Sequence, residues 1–206
     1  MAAIEMATIE DTVPGLERLA QLETVILNQL VSHYKGNSYA ILNEEEVLFN
    51  LVEETQKQAI FSGGNRRGFH MDGVDNTGKK VFSLRRPGMS LSDKVQIFMN
   101  DELASVVRME RTCLTPVFSI NDAQDVPTLR LKCKLCTVPS TYKLKTMSKS
   151  LVGGVVKRNR GWRQEMLSRN DDYVVTFPAD LAVHFKIAVI VAAVLIDFRF
   201  HEFRTN

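Results

Sequence analysis

An apolar run near the end of the chain constrains the fold more than any other feature of the sequence. It covers residues 187–196, with Lys186 before it and Asp197 after it. A helix of this length spans only ~15 Å, whereas a bilayer core requires ~20 apolar residues. The run is therefore either a short membrane span that carries charges or a helix enclosed on all sides by protein.

The charged residues around the run favour the enclosed helix. A tilted span over residues 181–203 would place Asp197, Arg199 and Glu202 in or near lipid. Each charge near the bilayer centre costs ~2.5–3.5 kcal/mol. A helix buried within the protein avoids this cost if its end charges reach polar partners.

Signals for a helix start precede the run. Pro178 is typical of a first helical turn, and Asp180 suits the positive end of the helix dipole. We therefore predict a C-terminal helix over about 179–198. The apolar side chains expected to face protein, or lipid in the alternative, are Phe185, Ile187, Ile190, Val191, Val194 and Leu195.

The middle of the chain is a succession of short strands and turns. Residues 95–98, for example, are rich in apolar residues and suit a strand, residues 100–102 are typical of a turn, and residues 105–109 suit the second strand of the hairpin. At least five such hairpins follow one another. A regular run of hairpins predicts a closed antiparallel β-barrel, which has no sheet edges, with the terminal helix filling its interior.

A helix is predicted at the start of this domain. Pro14-Gly15 opens a segment with apolar residues at helical spacing, and residues 25–31 either continue that helix or begin a strand. Residues 1–13 show no pattern and are expected to form a short disordered tail. The predicted domain is 14–206.

Composition and spacing argue against several classes of protein. A net charge of +2 is too small to indicate nucleic-acid binding by itself. Three cysteines are too few for a disulfide framework, which favours a reducing compartment. The four histidines have no metal-ligand spacing, and no nucleophile or phosphate-loop motif is present. We therefore expect a protein that is not an enzyme.

Short motifs in a fixed order resemble the phospholipid scramblase family over residues 14–203. The motifs are Pro14-Gly15-Leu16-Glu17, Leu84-Arg85-Arg86-Pro87, Phe177-Pro178, Asp180-Leu181, Lys186, Leu195-Ile196-Asp197-Phe198, Phe200 and Glu202. The resemblance implies a Tubby-like fold, in which a twelve-stranded barrel surrounds a hydrophobic C-terminal helix. This agrees with the independent prediction from the hairpins.

The resemblance also implies a function at membranes. It implies ATP-independent, calcium-linked movement of phospholipids between leaflets, at the cytoplasmic face of a membrane and above all the plasma membrane. The implied partners are phospholipids of the cytoplasmic leaflet, and some family members have a nuclear pool. The alternative is a Tubby-like module that binds lipid, or acts as an adaptor, without transporting it.

The family's calcium loop precedes the Phe-Pro motif, so the resemblance implies Ca²⁺ as a cofactor. Arg169 stands where the first carboxylate of that loop is expected, which leaves Asp171, Asp172 and Asp180 as candidate ligands. Calcium sites use roughly 6–8 oxygen ligands. We therefore predict millimolar or weaker binding, the alternative being an ordinary strand with acidic ends.

One basic cluster is a candidate for contact with a lipid surface. Lys157, Arg158, Arg160 and Arg163 surround Trp162. Each basic residue near an anionic membrane contributes ~1 kcal/mol, and tryptophan favours the headgroup region. The alternative is a solvated charged loop. Candidates for phosphoinositide binding, or for ordinary surface, are Arg66-Arg67, Lys79-Lys80 and Arg85-Arg86.

Two cysteines in a C-x-x-C spacing, Cys133 and Cys136, are the remaining candidates. A single such pair lacks the second ligand pair that a structural zinc ion requires, so no zinc site is predicted. The two are either free thiols on a strand or sites of acylation. Residues 88–93, where the family carries its palmitoylated cysteines, contain none.

Overall fold

A twelve-stranded antiparallel barrel forms the body of the protein, as predicted. The computed structural model describes residues 14–30, 38–44, 46–54, 68–88, 93–110, 112, 115–133, 141–158 and 172–200. The strands are β1 (Thr24–Leu30), β2 (Ser38–Asn43), β3 (Glu46–Glu53), β4 (Phe69–Val74), β5 (Lys80–Arg86), β6 (Lys94–Met99), β7 (Glu102–Glu110), β8 (Val117–Asn121), β9 (Pro127–Cys133), β10 (Thr141–Thr146), β11 (Leu151–Arg158) and β12 (Asp172–Thr176). Each strand pairs with its sequence neighbours, and β1 pairs with β12 to close the barrel.

Short turns gather at one end of the barrel. The turns after β2, β4, β6, β8 and β10 all lie there because successive strands run antiparallel. Between β6 and β7 the turn is Asn100-Asp101, whose φ values of 50° and 62° are those of a type I′ hairpin. The predicted turn residues therefore fix the hairpin register locally.

A short helix, α1 (Pro14–Gln21), covers this same end, which we call the α1 end. The backbone N–H of Leu22 donates to the carbonyl of Leu19, which closes the last turn of α1. Strand β1 starts at Thr24. The apolar stretch left open as helix or strand is therefore a strand over its described part.

A second helix, α2 (Val183–Phe200), runs through the barrel. Every residue from Lys186 to Phe198 is buried, and residues 187–196 are at most 1% exposed. Inward side chains of the strands, such as Leu27, Leu51 and Leu131, surround it. Within the described part of the chain, no helix is long and apolar enough to cross a membrane.

The predicted start of the terminal helix at 179 is wrong, because α2 begins at Val183. Pro178 and Leu181 instead bracket a turn, in which the N–H of Leu181 donates to the carbonyl of Pro178. The carbonyl of Ala179, which a longer helix would use internally, accepts a hydrogen bond from Lys186. Pro178 therefore belongs to the connection between β12 and α2 and does not lie in the first turn of the helix.

Candidate functional site

The first turn of α2 carries a lysine that is fully buried at the α1 end. Lys186 is 0% exposed, and its Nζ donates to the carbonyl oxygens of Ala20 at 2.6 Å, Leu22 at 2.8 Å and Ala179 at 2.8 Å. The carbonyl of Leu19 lies at 3.3 Å. Since the last carbonyls of a helix lack internal partners, Lys186 caps α1 and ties it to α2.

The surroundings of Lys186 offset part of the cost of burying its charge. Burial lowers the pKa of the ammonium from its ordinary value of 10.5, and the nearby carboxylates of Asp180 and Glu23 act in the opposite direction. The ring of Phe177 lies 5.3 Å from Nζ and presents a face to the cation. The site therefore holds a desolvated cation on carbonyl dipoles, with no direct ion pair to a described residue.

The other end of α2 carries a buried carboxyl. Asp197 is 1% exposed, and its two oxygens accept hydrogen bonds from Tyr39 at 2.9 Å and from Tyr173 at 2.7 Å. These tyrosines lie on β2 and β12, at the end of the barrel opposite α1. We call this the far end. The carboxyl fixes the far end of α2 to two strands.

Lys186 and Asp197 lie on the same side of α2. They are eleven residues apart, which is about three helical turns at ~3.6 residues per turn. Both face the β1, β2 and β12 side, where α1 and the two tyrosines lie. One polar edge thus fixes the rotation and depth of an otherwise apolar helix.

A buried arginine completes the far end. Arg86, 5% exposed, donates through Nε at 2.9 Å to Asp93, and a second nitrogen lies 2.7 Å from the same oxygen. Its guanidinium lies 4.9 Å from the ring centre of Phe198, the last fully buried residue of α2. The Arg86 side chain therefore covers the aromatic end of the helix.

The residues predicted to bind calcium are not brought together where they are described. Asp172 opens β12, is buried, and accepts a hydrogen bond from Asn28 at 2.5 Å. Asp180 is exposed in the turn after β12. A five-residue strand spans ~13 Å, so the two carboxylates lie at opposite ends of the barrel. Asp171 and Arg169 lie outside the described residues.

Strand β12 covers much of the segment in which the family's calcium loop is expected, and its side chains alternate in direction. Tyr173 and Val175 point into the barrel, and Tyr173 bonds Asp197. Among the described residues, no group of three or more His, Cys, Asp or Glu side chains could hold a metal ion. The described part of this segment has the geometry of a barrel strand with acidic ends.

The predicted lipid-contact cluster is divided between the two faces of β11. Lys157 pairs with the inward Tyr173 in the strand register, and its Nζ lies 5.7 Å from that ring. Arg158 pairs with Asp172 and is exposed on the outer face. Arg160, Trp162 and Arg163 lie outside the described residues.

Of the two candidate acylation sites, Cys133 faces the interior of the barrel and is 4% exposed. Its thiol is therefore not presented to an acylating enzyme. Cys136 lies outside the described residues. The basic pairs are also divided: Arg86 is buried, Arg85 is exposed on the opposite face, and Lys80 pairs with Asp72 at 2.9 Å.

The apolar side chains predicted to lie on the terminal helix are enclosed by the barrel, as a buried helix requires. Ile187, Ile190, Val191, Val194 and Leu195 are at most 1% exposed, and Phe185 is half-buried at the α1 end. Sequence reasoning treated Lys186 and Asp197 as the limits of the apolar run and as residues of the family motifs, and it missed their role as anchors. Their eleven-residue spacing, about three turns, was the available signal.

These features define a class of protein in which an antiparallel barrel is closed around a helix held by one buried cation and one buried carboxyl. The sequence profile of the scramblase family matches residues 4–203. The chain therefore belongs to the scramblase family. The resemblance read from the motifs is confirmed.

Three relatives illustrate the similarity. Phospholipid scramblase 1 of Rattus norvegicus is 29% identical over 215 residues, and the alignment covers 93% of this chain and 64% of that protein. Phospholipid scramblase 1 of Mus musculus is 30% identical, with 92% and 64% covered. Phospholipid scramblase 2 of Bos taurus is 28% identical, with 92% and 72% covered. The chain thus spans less than two thirds of the rat and mouse proteins.

Proposed function

We propose that this chain is a phospholipid scramblase-type protein that moves phospholipids between membrane leaflets in both directions and without ATP. The observation that carries the proposal is the family match over residues 4–203, which includes the whole described barrel and its helix. The rat, mouse and bovine relatives are named as phospholipid scramblases. The proposed site of action is the cytoplasmic face of a membrane, with the plasma membrane as first candidate.

Transport in this form requires a polar path for the headgroups, because charged groups are costly in the bilayer core. Helix α2 fills the barrel, so such a path does not run through the interior of a single closed barrel. It would lie between several chains, or it would open when α2 leaves. The same enclosed helix favours a second candidate function, a lipid-binding module that does not transport.

We also propose that any calcium dependence arises from a weak site. Arg169 replaces the first carboxylate of the family loop, and Asp172 and Asp180 lie at opposite ends of β12. Calcium prefers several oxygen ligands around one point. Isothermal titration should therefore show millimolar or weaker affinity, and a micromolar constant that disappears in Asp171→Ala would contradict this.

A liposome assay separates the two candidate functions. The purified chain is reconstituted in vesicles with a fluorescent phospholipid, and dithionite is added with Ca²⁺, with Mg²⁺ or without either. Scrambling exposes inner-leaflet lipid to the reductant, so quenching should exceed that of protein-free vesicles. Vesicle binding without extra quenching would support the lipid-binding module. Absence of both binding and quenching would refute both functions.

A further inference from the structure

The outer face of strands β9 and β10 carries a ladder of basic side chains. Lys132 lies directly opposite Lys143, and Arg130 lies directly opposite Lys145. Residues two apart on a strand point to the same face, so all four project outward. We call these four side chains the basic ladder.

Such a ladder is unfavourable for the isolated barrel. Like charges placed directly opposite on neighbouring strands are destabilising. One carboxylate reaches the set, where Nε of Arg130 lies 2.8 Å from Glu110. In the described part of the chain, no carboxylate forms an ion pair with Lys132, Lys143 or Lys145. The face therefore carries an excess of uncompensated positive charge.

Exposed apolar side chains lie beside the ladder, at the β10–β11 turn. Met147 is 47% exposed and Leu151 is 60% exposed, the highest value among the large apolar residues described as exposed. Leu151 lies directly opposite Lys145 on the neighbouring strand. Lys149 adds a further cation within the turn itself. We call Met147 and Leu151 the apolar tip.

We propose that the basic ladder and the apolar tip together form a docking surface for an anionic lipid bilayer. The cations match the negative headgroups, and the two apolar side chains at the edge can enter the interfacial region. This inference rests on the proposed action on phospholipids and names the surface that would contact them. A nucleic acid fits less well, since these six side chains include no aromatic ring on which bases could stack.

The surface uses other strands than the described part of the basic cluster singled out in the sequence. Lys157 and Arg158 of that cluster lie on β11, where Lys157 points into the barrel, whereas the ladder lies on the outer face of β9 and β10 and the tip lies at the α1 end. A barrel docked through the ladder and tip keeps both anchors of α2 intact. Docking therefore requires no opening of the core.

Flotation with vesicles tests the surface. The complete chain is mixed with vesicles of phosphatidylcholine alone or of equimolar phosphatidylcholine and phosphatidylserine, at low and at high salt. The test variant is Lys132→Gln/Lys143→Gln. Its matched control is Arg18→Gln/Lys94→Gln, which removes two positive charges from α1 and β6, outside the ladder and the tip. Circular dichroism verifies that each variant is folded.

We expect the wild-type chain to bind the anionic vesicles and to lose binding at high salt. The ladder variant should bind roughly 30-fold more weakly, because each basic residue near an anionic surface contributes roughly a fivefold factor. The control should bind like the wild type. Met147→Ser/Leu151→Ser should weaken binding several-fold while leaving its salt dependence in place.

Three results would overturn the inference in distinguishable ways. If the wild type binds and the ladder variant binds equally well, or the control is the weaker binder, the docking surface lies elsewhere and the proposed function stands. If the ladder variant loses affinity for a poly-uridine RNA but keeps its vesicle affinity, the surface belongs to nucleic acid. If the wild type binds no vesicle, the proposed action on lipids fails together with the surface.

Discussion

Replacing Lys186 by methionine tests directly how the helix is held in the barrel. Methionine approximates the apolar stem of lysine, with a thioether sulfur in place of one methylene, and lacks the ammonium group. The carbonyls of Ala20, Leu22 and Ala179 then lose a donor at 2.6–2.8 Å, and that of Leu19 loses its longer contact.

The expected loss of stability follows from two opposing contributions. An ammonium group has three donors, and a hydrogen bond to a charged group contributes ~1.5–3 kcal/mol. Removal of the buried charge returns several kcal/mol of desolvation cost. We expect the difference to lower the free energy of unfolding by about 3–5 kcal/mol, a large fraction of the 5–15 kcal/mol typical of a domain.

Urea unfolding followed by far-ultraviolet circular dichroism measures this difference. The matched control is Lys143→Met, which removes an exposed lysine that forms no ion pair with any described residue and should change stability by no more than about 0.5 kcal/mol. A Lys186→Met variant within about 1 kcal/mol of the wild type would refute the capping role, because it would show that the carbonyls are satisfied without the ammonium.

Three further outcomes follow from other contacts. Tyr39→Phe removes one of the two tyrosine hydrogen bonds to Asp197 and should lower the free energy of unfolding by about 1–3 kcal/mol in the same urea assay. An unchanged unfolding midpoint would show that this hydrogen bond does not hold the far end of α2. The hydrogen bond from Arg108 lowers the pKa of Asp125 below 3.8, so its stabilisation is present above pH 3.8 and is lost as the pH falls through the lower folded value. Asp125→Asn should make the free energy of unfolding less dependent on pH in the acid range. A pH dependence of stability identical to that of the wild type would contradict this expectation. Gly153→Ala should cost about 1–3 kcal/mol, since a Cβ there would lie 2.2 Å from the carbonyl oxygen of Thr176; wild-type thermal stability would show that β12 can shift aside.

The architecture was predictable because its signals are local. Turn residues such as Asn100-Asp101 set individual hairpins, and a run of hairpins has few arrangements other than closure. The apolar run that follows the hairpins is then predicted to fill the interior of the barrel. Length alone, at ~1.5 Å per residue, already made a simple membrane span unfavourable.

The anchors were not predictable because their partners are distant in sequence. Tyr39 and Asp197 are 158 residues apart, and Lys186 reaches Leu22 across 164. No local pattern marks a tyrosine that points inward at the far end. The basic ladder likewise depends on register, because Lys132 and Lys143 become neighbours only once β9 and β10 are paired.

The two anchors also bear on whether the helix ever leaves the barrel for the bilayer. Lys186 and Asp197 lie ~16 Å apart along the axis, so a bilayer core of ~30 Å would enclose both. Each charge costs ~2.5–3.5 kcal/mol near the centre, and the emptied barrel would lose the apolar partner of its inward side chains. We therefore expect α2 to stay enclosed on vesicles.

Amide hydrogen exchange measured by mass spectrometry on vesicle-bound chain tests this expectation. The amides of α2 and of β7 and β8, which pack on it, should exchange as slowly with vesicles as without them. Withdrawal of the helix would instead raise exchange in β7 and β8 together, since both strands would lose the core that protects them. That joint increase, if it accompanies lipid flipping, would show that transport opens the barrel, and the route between several chains would then be unnecessary.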